Sequence, residues 1–289
     1  MKPLVLYRVD LRAGDPASAL ERLDPAAPLL TGTDLAATRG DGVFETVVLV
    51  DGVPQAMEAH LDRFERSASL LELPSPDRVL WRTVVERVAA EMDVSRGAVK
   101  YILSRGDEAT GEPTGWALGF APTRHRTGVP PELDVVLLDR GYRSDVATTA
   151  PWLLQGAKTL SYAVNMAALR EAGRRGASDV IFVSSDGYIL EGPNSTVIAR
   201  IDGEYVTPPV EFGILPGTTQ ADAFEALREG GDRVAVRALT VSDLSDADAL
   251  WLCSSTRGAA PVRSLDGVAQ HVDHATTERI SAFLNARKG

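Results

Sequence analysis

The chain has 289 residues, of which 44% are hydrophobic and 24% are charged, and this length is enough for one large or two medium globular domains. Its formal net charge is −10, so it lacks the general positive charge that binding to nucleic acid or to an anionic membrane requires. Cys253 is the single cysteine, which excludes an intrachain disulfide and a cysteine metal cluster, and no apolar stretch approaches the ~20 residues of a membrane span.

The first part of the chain carries both strand and helix signals. Residues 43–50 are rich in β-branched side chains and end at Asp51-Gly52, which predicts a strand and a hairpin turn. Residues 99–103 and 116–120 predict further strands. Apolar residues recur every three or four positions in two segments, which predicts two helices. Their predicted buried positions are Met57, Leu61, Phe64, Ala68 and Leu71 in the first, and Val79, Leu80, Val84 and Val88 in the second.

Residues 122–131 contain three prolines and a short cationic cluster, a composition typical of an extended connector. The sequence therefore predicts an N-terminal domain over 1–121, a linker over 122–131 and a C-terminal domain over 132–289. A strand at 133–138 and helices at about 162–172, 218–229 and 276–286 are predicted in the second domain. Hairpin strands mixed with separate helices indicate two α+β domains and not an alternating doubly wound sheet.

Residues 156–200 are the most informative stretch. Lys158 stands just before a helix with Tyr162, Met166 and Leu169 among its predicted apolar positions. A strand over 180–183, a turn at 185–187 and a return strand over 188–190 follow. The return strand leads into Glu191 and the polar run Gly192-Pro193-Asn194-Ser195-Thr196. Taken singly, each feature is ordinary, because a lysine ahead of a helix is usually a solvated surface residue.

In this order, the stretch resembles the signature of the class IV aminotransferases, the fold type IV enzymes that use pyridoxal 5′-phosphate. The resemblance implies a two-domain α+β fold similar to that of D-amino-acid aminotransferases. It implies that Lys158 is the catalytic residue and carries the cofactor as a Schiff base, and that Glu191 pairs with the pyridine nitrogen. It also implies cofactor contacts by Ser195 and Thr196. A carboxylate at that nitrogen keeps the ring protonated, so that the ring can absorb carbanion charge.

Three further segments match the same family. The segment Arg39-Gly40-Asp41-Gly42-Val43-Phe44-Glu45-Thr46 resembles its N-terminal Gly-Asp-Gly-aromatic-Glu motif. The segment His60-Leu61-Asp62-Arg63-Phe64 resembles its His-x-x-Arg-aromatic motif, which implies that Arg63 grips the cofactor phosphate with a bidentate, permanently charged fork. Leu215-Pro216-Gly217-Thr218-Thr219 opens a helix and resembles its phosphate cup, which implies phosphate contacts by Gly217, Thr218 and Thr219. Ser255, in a hydroxyl-rich loop before Pro261-Val262, is a further implied phosphate contact.

Members of this family differ in their substrates, and the fold alone does not separate them. Ser104-Arg105-Gly106 matches the D-amino-acid enzymes, but residues 107–114 lack the arginine and histidine that hold the substrate carboxylate there. Arg39 stands where branched-chain enzymes have an aromatic residue, and one more cation would suit the dianionic aminodeoxychorismate. We therefore predict Phe44, Arg39 and Arg105 as substrate residues.

The sequence favours a 4-amino-4-deoxychorismate lyase of folate biosynthesis, which releases 4-aminobenzoate and pyruvate. The alternative is a D-amino-acid or branched-chain aminotransferase of the same fold, or a protein with both activities, and a remote alternative is a non-catalytic cofactor-binding relative. We expect a small-molecule substrate, no nucleic acid or membrane partner, no metal, a homodimer and a cytoplasmic location. Tyr162 is predicted to face Lys158 from one helical turn away.

Overall fold

The structure is a computed structural model that describes residues 3–92, 94–121 and 130–287. The chain folds into two compact units. Among the described residues, the first unit holds 3–92, 94–121, Ala157–Tyr162 and Arg287, and the second holds 130–156 and Ala163–Ala286. The segment Ala157–Tyr162 is thus part of the first unit, although the sequence places it in the predicted C-terminal domain. Most of the predicted linker, residues 122–129, lies outside the described residues, so that boundary stays a prediction.

The first unit is built on a six-stranded sheet. Its strands are β1 (Pro3–Val9), β2 (Leu20–Leu23), β3 (Gly42–Val50), β4 (Val53–Pro54), β5 (Arg96–Ser104) and β6 (Thr114–Phe120). Their order in the sheet is β2-β1-β6-β5-β3-β4, and every neighbouring pair is antiparallel. Side chains alternate between the two faces of each strand, so one face can receive helices while the other is available for a different function.

Three helices belong to the first unit: α1 (Leu35–Thr38), α2 (Met57–Leu70) and α3 (Arg78–Ala90). Helices α2 and α3 pack on the sheet through an aromatic cluster of Phe64, Trp81 and Tyr101. The Phe64 ring lies 5.2 Å from the Trp81 ring and 4.8 Å from the Tyr101 ring, both in edge-to-face geometry. Buried aromatic side chains dominate core energetics, and such ring pairs add about 0.5–1.5 kcal/mol each.

The opposite face of this sheet carries a second apolar cluster, formed by Leu6, Phe44, Ile102 and Trp116 with partly buried neighbours that include Leu160 and Tyr162. The segment containing Lys158 lies along the free edge of β3. The Phe44 N–H donates to the Lys158 carbonyl oxygen at 3.1 Å, and the Leu160 N–H donates to the Gly42 carbonyl oxygen at 2.8 Å. Two backbone bonds thereby attach this segment to the sheet.

The second unit contains an eight-stranded sheet. Its strands are β7 (Leu133–Asp139), β8 (Asp179–Val183), β9 (Thr196–Ile201), β10 (Glu204–Thr207), β11 (Arg233–Val236), β12 (Ala249–Ser254), β13 (Gly258–Leu265) and β14 (Val268–Ala269). The order is β11-β10-β9-β12-β13-β7-β8, and β14 pairs with β13. Three pairs are parallel, namely β10 with β11, β13 with β7 and β7 with β8, and the rest are antiparallel.

The helices of the second unit are α4 (Val146–Thr149), α5 (Ala163–Arg174), α6 (Thr218–Glu229), α7 (Val241–Ser245) and α8 (His274–Ala286). Helices α6 and α8 share a core with the sheet, in which Trp251, Phe224 and Ile280 are buried. The indole N–H of Trp251 donates to Thr277 Oγ1 on α8 at 2.9 Å. A second core cluster includes Leu133, Val262 and Leu244, and a third, between α5 and the strands β7 and β8, includes Val136, Ala168 and Val180.

Most of the predicted elements form, within one to three residues of their expected bounds. Two of the predicted apolar positions were wrong. Val79 is 64% exposed and Met166 is 46% exposed. Val79 is the second residue of α3, which begins at Arg78, and Trp81 is buried in its place. Helix α5 buries the small residues Ala168 and Ala172 instead of a stripe of large ones.

The return segment predicted over 188–190 pairs with β8, but irregularly. The Leu190 N–H donates to the Phe182 carbonyl oxygen and the Phe182 N–H donates to the Glu191 carbonyl oxygen, both at 2.9 Å, while Val183 and Ile189 form only an isolated bridge. The turn before this segment closes through the Gly187 N–H, which donates to the Ser184 carbonyl oxygen at 2.9 Å. Gly187 has φ +93°, a conformation that side chains disfavour and glycine tolerates.

Candidate active site

In the first unit, the side chain of Lys158 lies over the aromatic ring of Phe44. Lys158 Nζ is 4.5 Å from the centroid of that ring, and it donates to the Tyr162 hydroxyl oxygen at 3.5 Å. The rings of Phe44 and Tyr162 meet edge to face at 5.3 Å. An ammonium group over a ring face is attracted to the ring quadrupole. The amine of Lys158 is therefore held against two aromatic side chains.

The backbone of Lys158 is fixed as well as its side chain. Besides the carbonyl bond from the Phe44 N–H, the Lys158 N–H donates to Ser67 Oγ at 3.1 Å, and Ser67 is a buried residue of α2. Gly42, beside this segment, has no room for a side chain, because a Cβ there would lie 2.8 Å from both the Leu103 oxygen and the Leu160 Cδ1 atom. The backbone of Lys158 is thus held in a fixed position at the edge of the sheet.

The predicted approach of Tyr162 to Lys158 is observed, but the geometry behind the prediction was wrong. The two residues are not one helical turn apart, because α5 begins at Ala163. Residues 158–160 are extended along β3, and a hydrogen bond from the Tyr162 N–H to the Leu160 carbonyl oxygen at 2.8 Å turns the chain back. The turn, and not a helix, brings the hydroxyl group to the amine.

Lys100 is a residue of this cluster that the sequence did not indicate. Its Nζ lies 4.8 Å from the centroid of the same Phe44 ring. Burial lowers the pKa of Lys100 below its usual value, and the positive charge of Lys158 lowers it further. A signal was present, since a lysine inside the apolar strand Ala98-Val99-Lys100-Tyr101-Ile102 is unusual. Two amines therefore share one aromatic ring.

On the helix-bearing face, Glu45 forms a buried cluster with His60 and Arg63. The Glu45 side chain is 0% exposed and the Arg63 side chain is 7% exposed. Arg63 donates to the carboxylate through Nε at 2.6 Å and Nη2 at 2.8 Å, and His60 Nδ1 lies 2.7 Å from Oε2. This bidentate pairing fixes the plane of the guanidinium group.

Electrostatics within this cluster favour one arrangement of charge. Burial alone would raise the pKa of Glu45, but the charges of Arg63 and His60 and the hydrogen bonds from them hold it well below its usual value. Burial lowers the pKa of His60 despite the adjacent carboxylate. Glu45 is therefore ionised at neutral pH while His60 is a neutral ring, and the carboxylate is matched by the Arg63 cation.

The two arginines that were predicted to bind the substrate, Arg39 and Arg105, differ in their surroundings. Arg39 is the C-terminal cap residue of α1 and is exposed. Arg105 donates through Nε to the Asp41 carboxylate at 2.6 Å and through Nη2 to the Leu71 carbonyl oxygen at 2.5 Å. The guanidinium of Arg105 thus ties two loops of the first unit together.

The loop that departs from the D-amino-acid enzymes is organised around Asp107. Its carboxylate accepts hydrogen bonds from Thr31 Oγ1 at 2.6 Å and Thr33 Oγ1 at 2.8 Å. These bonds, followed by one from the Ala109 N–H, lower the pKa of Asp107 to about 2. This loop therefore presents a fixed negative charge in the part of the sequence where those relatives have cations.

In the second unit, Glu191 lies at the end of the hairpin that follows β8. Its Oε2 accepts a hydrogen bond from the Leu215 N–H at 3.1 Å, which joins it to the segment that opens α6. The turn after Glu191 closes through the Gly192 N–H, which donates to the Ser195 carbonyl oxygen at 2.7 Å. Asn165 on α5 holds the same turn by donating to the Pro193 oxygen at 2.7 Å.

The polar run after Glu191 meets the N-terminus of α6. Gly217, Thr218 and Thr219 form the start of that helix, and both threonines are buried. A Cβ on Gly217 would lie 2.3 Å from Thr196 Oγ1, so this close approach requires glycine. Ser195 Oγ is buried and has no hydrogen-bond partner in the part of the chain that the structure describes. The predicted residues Thr196, Gly217, Thr218 and Thr219 thus come together.

Ser255 lies in the loop between β12 and β13 and is partly buried. Two residues later, Arg257 Nη1 donates to the buried Asp179 carboxylate at 2.6 Å, which anchors the loop to the start of β8. Within residues 3–92, 94–121 and 130–287, no group of three or more His, Cys, Asp or Glu side chains is arranged to hold a metal ion. None of the described helices is both long enough and apolar enough to cross a bilayer.

Comparisons with known proteins agree with this description. The sequence pattern of the family described as Amino-transferase class IV matches residues 42–265. A bifunctional aminodeoxychorismate lyase / D-amino acid transaminase from Mycobacterium tuberculosis is 48% identical over 263 residues, which are 86% of this chain and 89% of that protein. An aminodeoxychorismate lyase from Vibrio harveyi is 26% identical over 85% of this chain and 92% of its own length.

Solved structures give the same result. The fold IV-transaminase CpuTA1 from Curtobacterium pusillum is 48% identical and superimposes with a TM-score of 0.94, covering 98% of this chain and 99% of its own. A hypothetical aminotransferase from Mycobacterium tuberculosis in its PLP-bound form is 42% identical with a TM-score of 0.89, covering 97% and 99%. The predicted family, mixed α/β fold and cofactor are thereby confirmed. The chain belongs to the class IV aminotransferases and is an enzyme that depends on pyridoxal 5′-phosphate.

Proposed function

We propose that this enzyme is a 4-amino-4-deoxychorismate lyase that also transaminates D-amino acids. The observation that carries the proposal is the setting of Lys158, a partly buried amine over the Phe44 ring, in a chain 48% identical to a relative named for both activities. The second activity is included because of that name. Branched-chain transamination is less favoured, because the named relatives with that activity are more distant.

The chemistry of the described residues fits the cofactor. Among the residues that the structure describes, Ser195 Oγ is a buried donor without a hydrogen-bond partner, and such groups are usually satisfied in native structures. Helix α6 follows a glycine that cannot cap it with a side chain, and the positive end of a helix dipole suits a phosphate. A carboxylate at position 191 suits a protonated ring nitrogen. These features support the residue assignments taken from the family resemblance.

Lys158 forms the covalent link, and Glu191 binds the pyridine nitrogen. The phosphate contacts are assigned to Arg63, whose Nε and Nη2 also donate to Glu45, to Gly217, Thr218 and Thr219 at the start of α6, and to Ser255 in the β12–β13 loop. Ser195 and Thr196 are the remaining polar contacts. Phe44 is assigned to the substrate, together with Arg39 and Arg105, although the bonds that Arg105 makes to Asp41 and Leu71 favour a structural role.

The bound cofactor supplies an electron sink for the carbon that carries the substrate nitrogen. Lys158 acts as the general base at that carbon, and the Tyr162 hydroxyl 3.5 Å away accepts a hydrogen bond that orients the amine. In the lyase reaction, loss of this proton is followed by cleavage of the ether C–O bond. The ring becomes aromatic as 4-aminobenzoate, and the released enolpyruvate takes up a proton to give pyruvate. In transamination, the Lys158 amine would hold the same proton and deliver it to complete the transfer of the amino group, which the bound cofactor would accept.

We further propose that the enzyme is a homodimer in the cytoplasm and that the domain boundary lies at residues 122–131. The dimer is supported by the family resemblance, and the boundary by the prolines of that segment. Sedimentation of the purified protein tests the first proposal. Limited proteolysis, with cleavage sites identified by mass spectrometry, tests the second.

The function is tested by measuring products that distinguish the two reactions. The holoenzyme is incubated with aminodeoxychorismate, and separately with D-alanine and 2-oxoglutarate. Both reactions give pyruvate, so 4-aminobenzoate and D-glutamate are the products to measure. We expect both. D-glutamate without 4-aminobenzoate would overturn the lyase assignment and leave a transaminase.

Reduction with borohydride tests the assignment of Lys158 independently of turnover. Peptide mapping should find the reduced cofactor on Lys158, and Lys158→Ala should abolish both the label and the two activities. A label on another lysine would contradict the assignment.

A further inference from the structure

We propose that Ser67 is a positioning residue that sets the spacing between Lys158 and the phosphate site at Arg63. This inference rests on the proposed function in one respect, namely that Lys158 bonds to the cofactor and Arg63 contacts its phosphate. It goes beyond that function because it assigns to a third side chain the selection of the phosphorylated cofactor over its unphosphorylated form.

The first observation is a polar stripe on the buried face of α2. The buried residues of this helix include His60, Arg63 and Ser67, which are polar. Their spacing of three and four positions places them on one side of the helix, one above the other. Buried polar side chains are usually hydrogen-bonded, so each of them needs a partner on a neighbouring element. The stripe therefore marks the part of α2 that contacts other polar groups.

The second observation is how the members of this stripe are held. Arg63 and His60 both contact the carboxylate of Glu45 on β3. Ser67 instead accepts a hydrogen bond from the N–H of Lys158 at 3.1 Å, and Ser67 is 1% exposed. Water therefore has little access to the space between them and cannot easily replace this bond.

The third observation is that these contacts return to adjacent residues of β3. The Phe44 N–H donates to the carbonyl oxygen of Lys158. The next residue, Glu45, holds the guanidinium group of Arg63. Lys158 is thus bonded to β3 through its oxygen and to α2 through its N–H. Because Arg63 and Ser67 are one helical turn apart, α2 carries both of them as a rigid unit.

Electrostatics agree with this arrangement. Burial lowers the pKa of His60, and the positive charges of Arg63 and Lys158 lower it further. The strength of such an effect falls with distance, so both cations lie close enough to His60 to act on its ring. Lys158 and Arg63 are therefore neighbours of the same buried cluster.

A fixed spacing matters because the cofactor is bound at two points. Once Lys158 has bonded to the cofactor, Arg63 binds the phosphate intramolecularly, and the effective concentration depends on how well the two residues are held in register. Removal of the Ser67 hydroxyl takes this acceptor away from the Lys158 N–H and lets the lysine segment shift against α2. The phosphate should then contribute less to binding, whereas the rest of the cofactor should be affected little.

The experiment compares two ligands that differ only in the phosphate, pyridoxal 5′-phosphate and pyridoxal. The full chain is freed of cofactor, and its affinity for each ligand is measured by equilibrium dialysis for wild type, Ser67→Ala and Ser184→Ala. Ser184 is a matched control, because it is a buried serine that also accepts a hydrogen bond from a backbone N–H, that of Tyr188 at 2.9 Å. Any effect of this control on Glu191 acts on both ligands alike, since both carry the pyridine nitrogen.

We expect Ser67→Ala to reduce the preference for the phosphorylated ligand by about threefold to tenfold, the range that corresponds to the loss of one buried hydrogen bond. Ser184→Ala should keep the wild-type preference. An unchanged preference in Ser67→Ala would overturn the inference. Equal losses of affinity for both ligands would overturn it as well, because they would show that Ser67 has a structural role only.

The result for wild type separates this inference from the proposed function. If wild type binds pyridoxal as tightly as pyridoxal 5′-phosphate, the assignment of Arg63 to the phosphate is wrong, and the inference falls with it. If wild type prefers the phosphorylated ligand and Ser67→Ala prefers it equally, the assignment of Arg63 stands and the inference alone fails.

A second variant and a measurement on wild type cover the case in which Ser67→Ala does not fold. Ser67→Cys nearly preserves the volume of the side chain, but sulfur is a weak acceptor, so the preference should also fall. In wild type, the Lys158 amide should exchange with deuterium more slowly with pyridoxal 5′-phosphate bound than with pyridoxal bound, because a phosphate on Arg63 steadies α2 and Ser67 with it. A wild-type preference in Ser67→Cys, or equal exchange rates with the two ligands, would contradict the inference.

Discussion

The buried carboxylate of Glu45 offers a sharp test of what stabilises the first unit. In Glu45→Gln, one of the two oxygens that accept bonds from Arg63 and His60 becomes an amide nitrogen. The side chain keeps its size but loses its charge. Glu45 is 0% exposed and receives three contacts of 2.6–2.8 Å, so water cannot replace what is lost. Breaking a buried ion pair at one partner costs about 3–5 kcal/mol, because the other charge stays buried.

The assay is urea unfolding of the cofactor-free protein, which removes the contribution of cofactor binding from the comparison. The matched control is Glu112→Gln, the same substitution in the exposed pair that Glu112 forms with Arg12. We expect the control to change the free energy of unfolding by at most about 1 kcal/mol, as is usual for surface ion pairs. Similar small changes in both variants would refute the reasoning, because they would mean that Arg63 does not depend on Glu45 for its charge balance.

Two further predictions concern the same unit. Tyr101→Phe should leave the free energy of unfolding unchanged or raise it by up to about 1 kcal/mol in urea titrations, because the Tyr101 hydroxyl is buried without a hydrogen-bond partner in the described part of the chain; a clear destabilisation would reveal a partner. Acidification should reduce the free energy of unfolding in two stages, because folding lowers the pKa values of both His60 and Glu45. As the pH falls, the unfolded chain binds a proton at each group before the folded chain does. The first stage begins below about pH 6.5, the ordinary pKa of histidine, and the second below about pH 4.5, that of glutamate. Urea midpoints between pH 7 and 5 should fall for wild type and stay level for His60→Asn, and a parallel fall in both would contradict the assignment.

The elements that could be predicted from the sequence are those whose signals are local. Helix α6 has the predicted bounds Thr218–Glu229, and the β3 hairpin turns at Asp51-Gly52. Apolar spacing, turn residues and helix starts depend on neighbours within about four positions, so they can be recognised without knowledge of the fold. The family motifs were equally readable, because they are short runs of fixed residue types.

The features that were missed depend on pairing across long stretches of chain. Residues 158–160 join the edge of β3, more than a hundred residues earlier, and no local periodicity indicates that contact. Lys100 approaches Phe44 because β3 and β5 are paired with Thr46 opposite Lys100. The hydrogen bonds of Arg105 to Asp41 and Leu71 likewise join residues that are far apart in the sequence. Such partners follow from strand register, which the sequence does not state.

The attachment of residues 158–160 to β3 also bears on synthesis of the protein. On a ribosome, the edge of β3 at Gly42 is made roughly 120 residues before Leu160, its hydrogen-bonding partner. At about 5–20 residues per second, that edge stays unpaired for roughly 6–24 s. An open edge with apolar side chains can pair with another nascent chain. Slow translation at low temperature should therefore prolong exposure to aggregation, and chaperones that cover strand edges should help most during this interval.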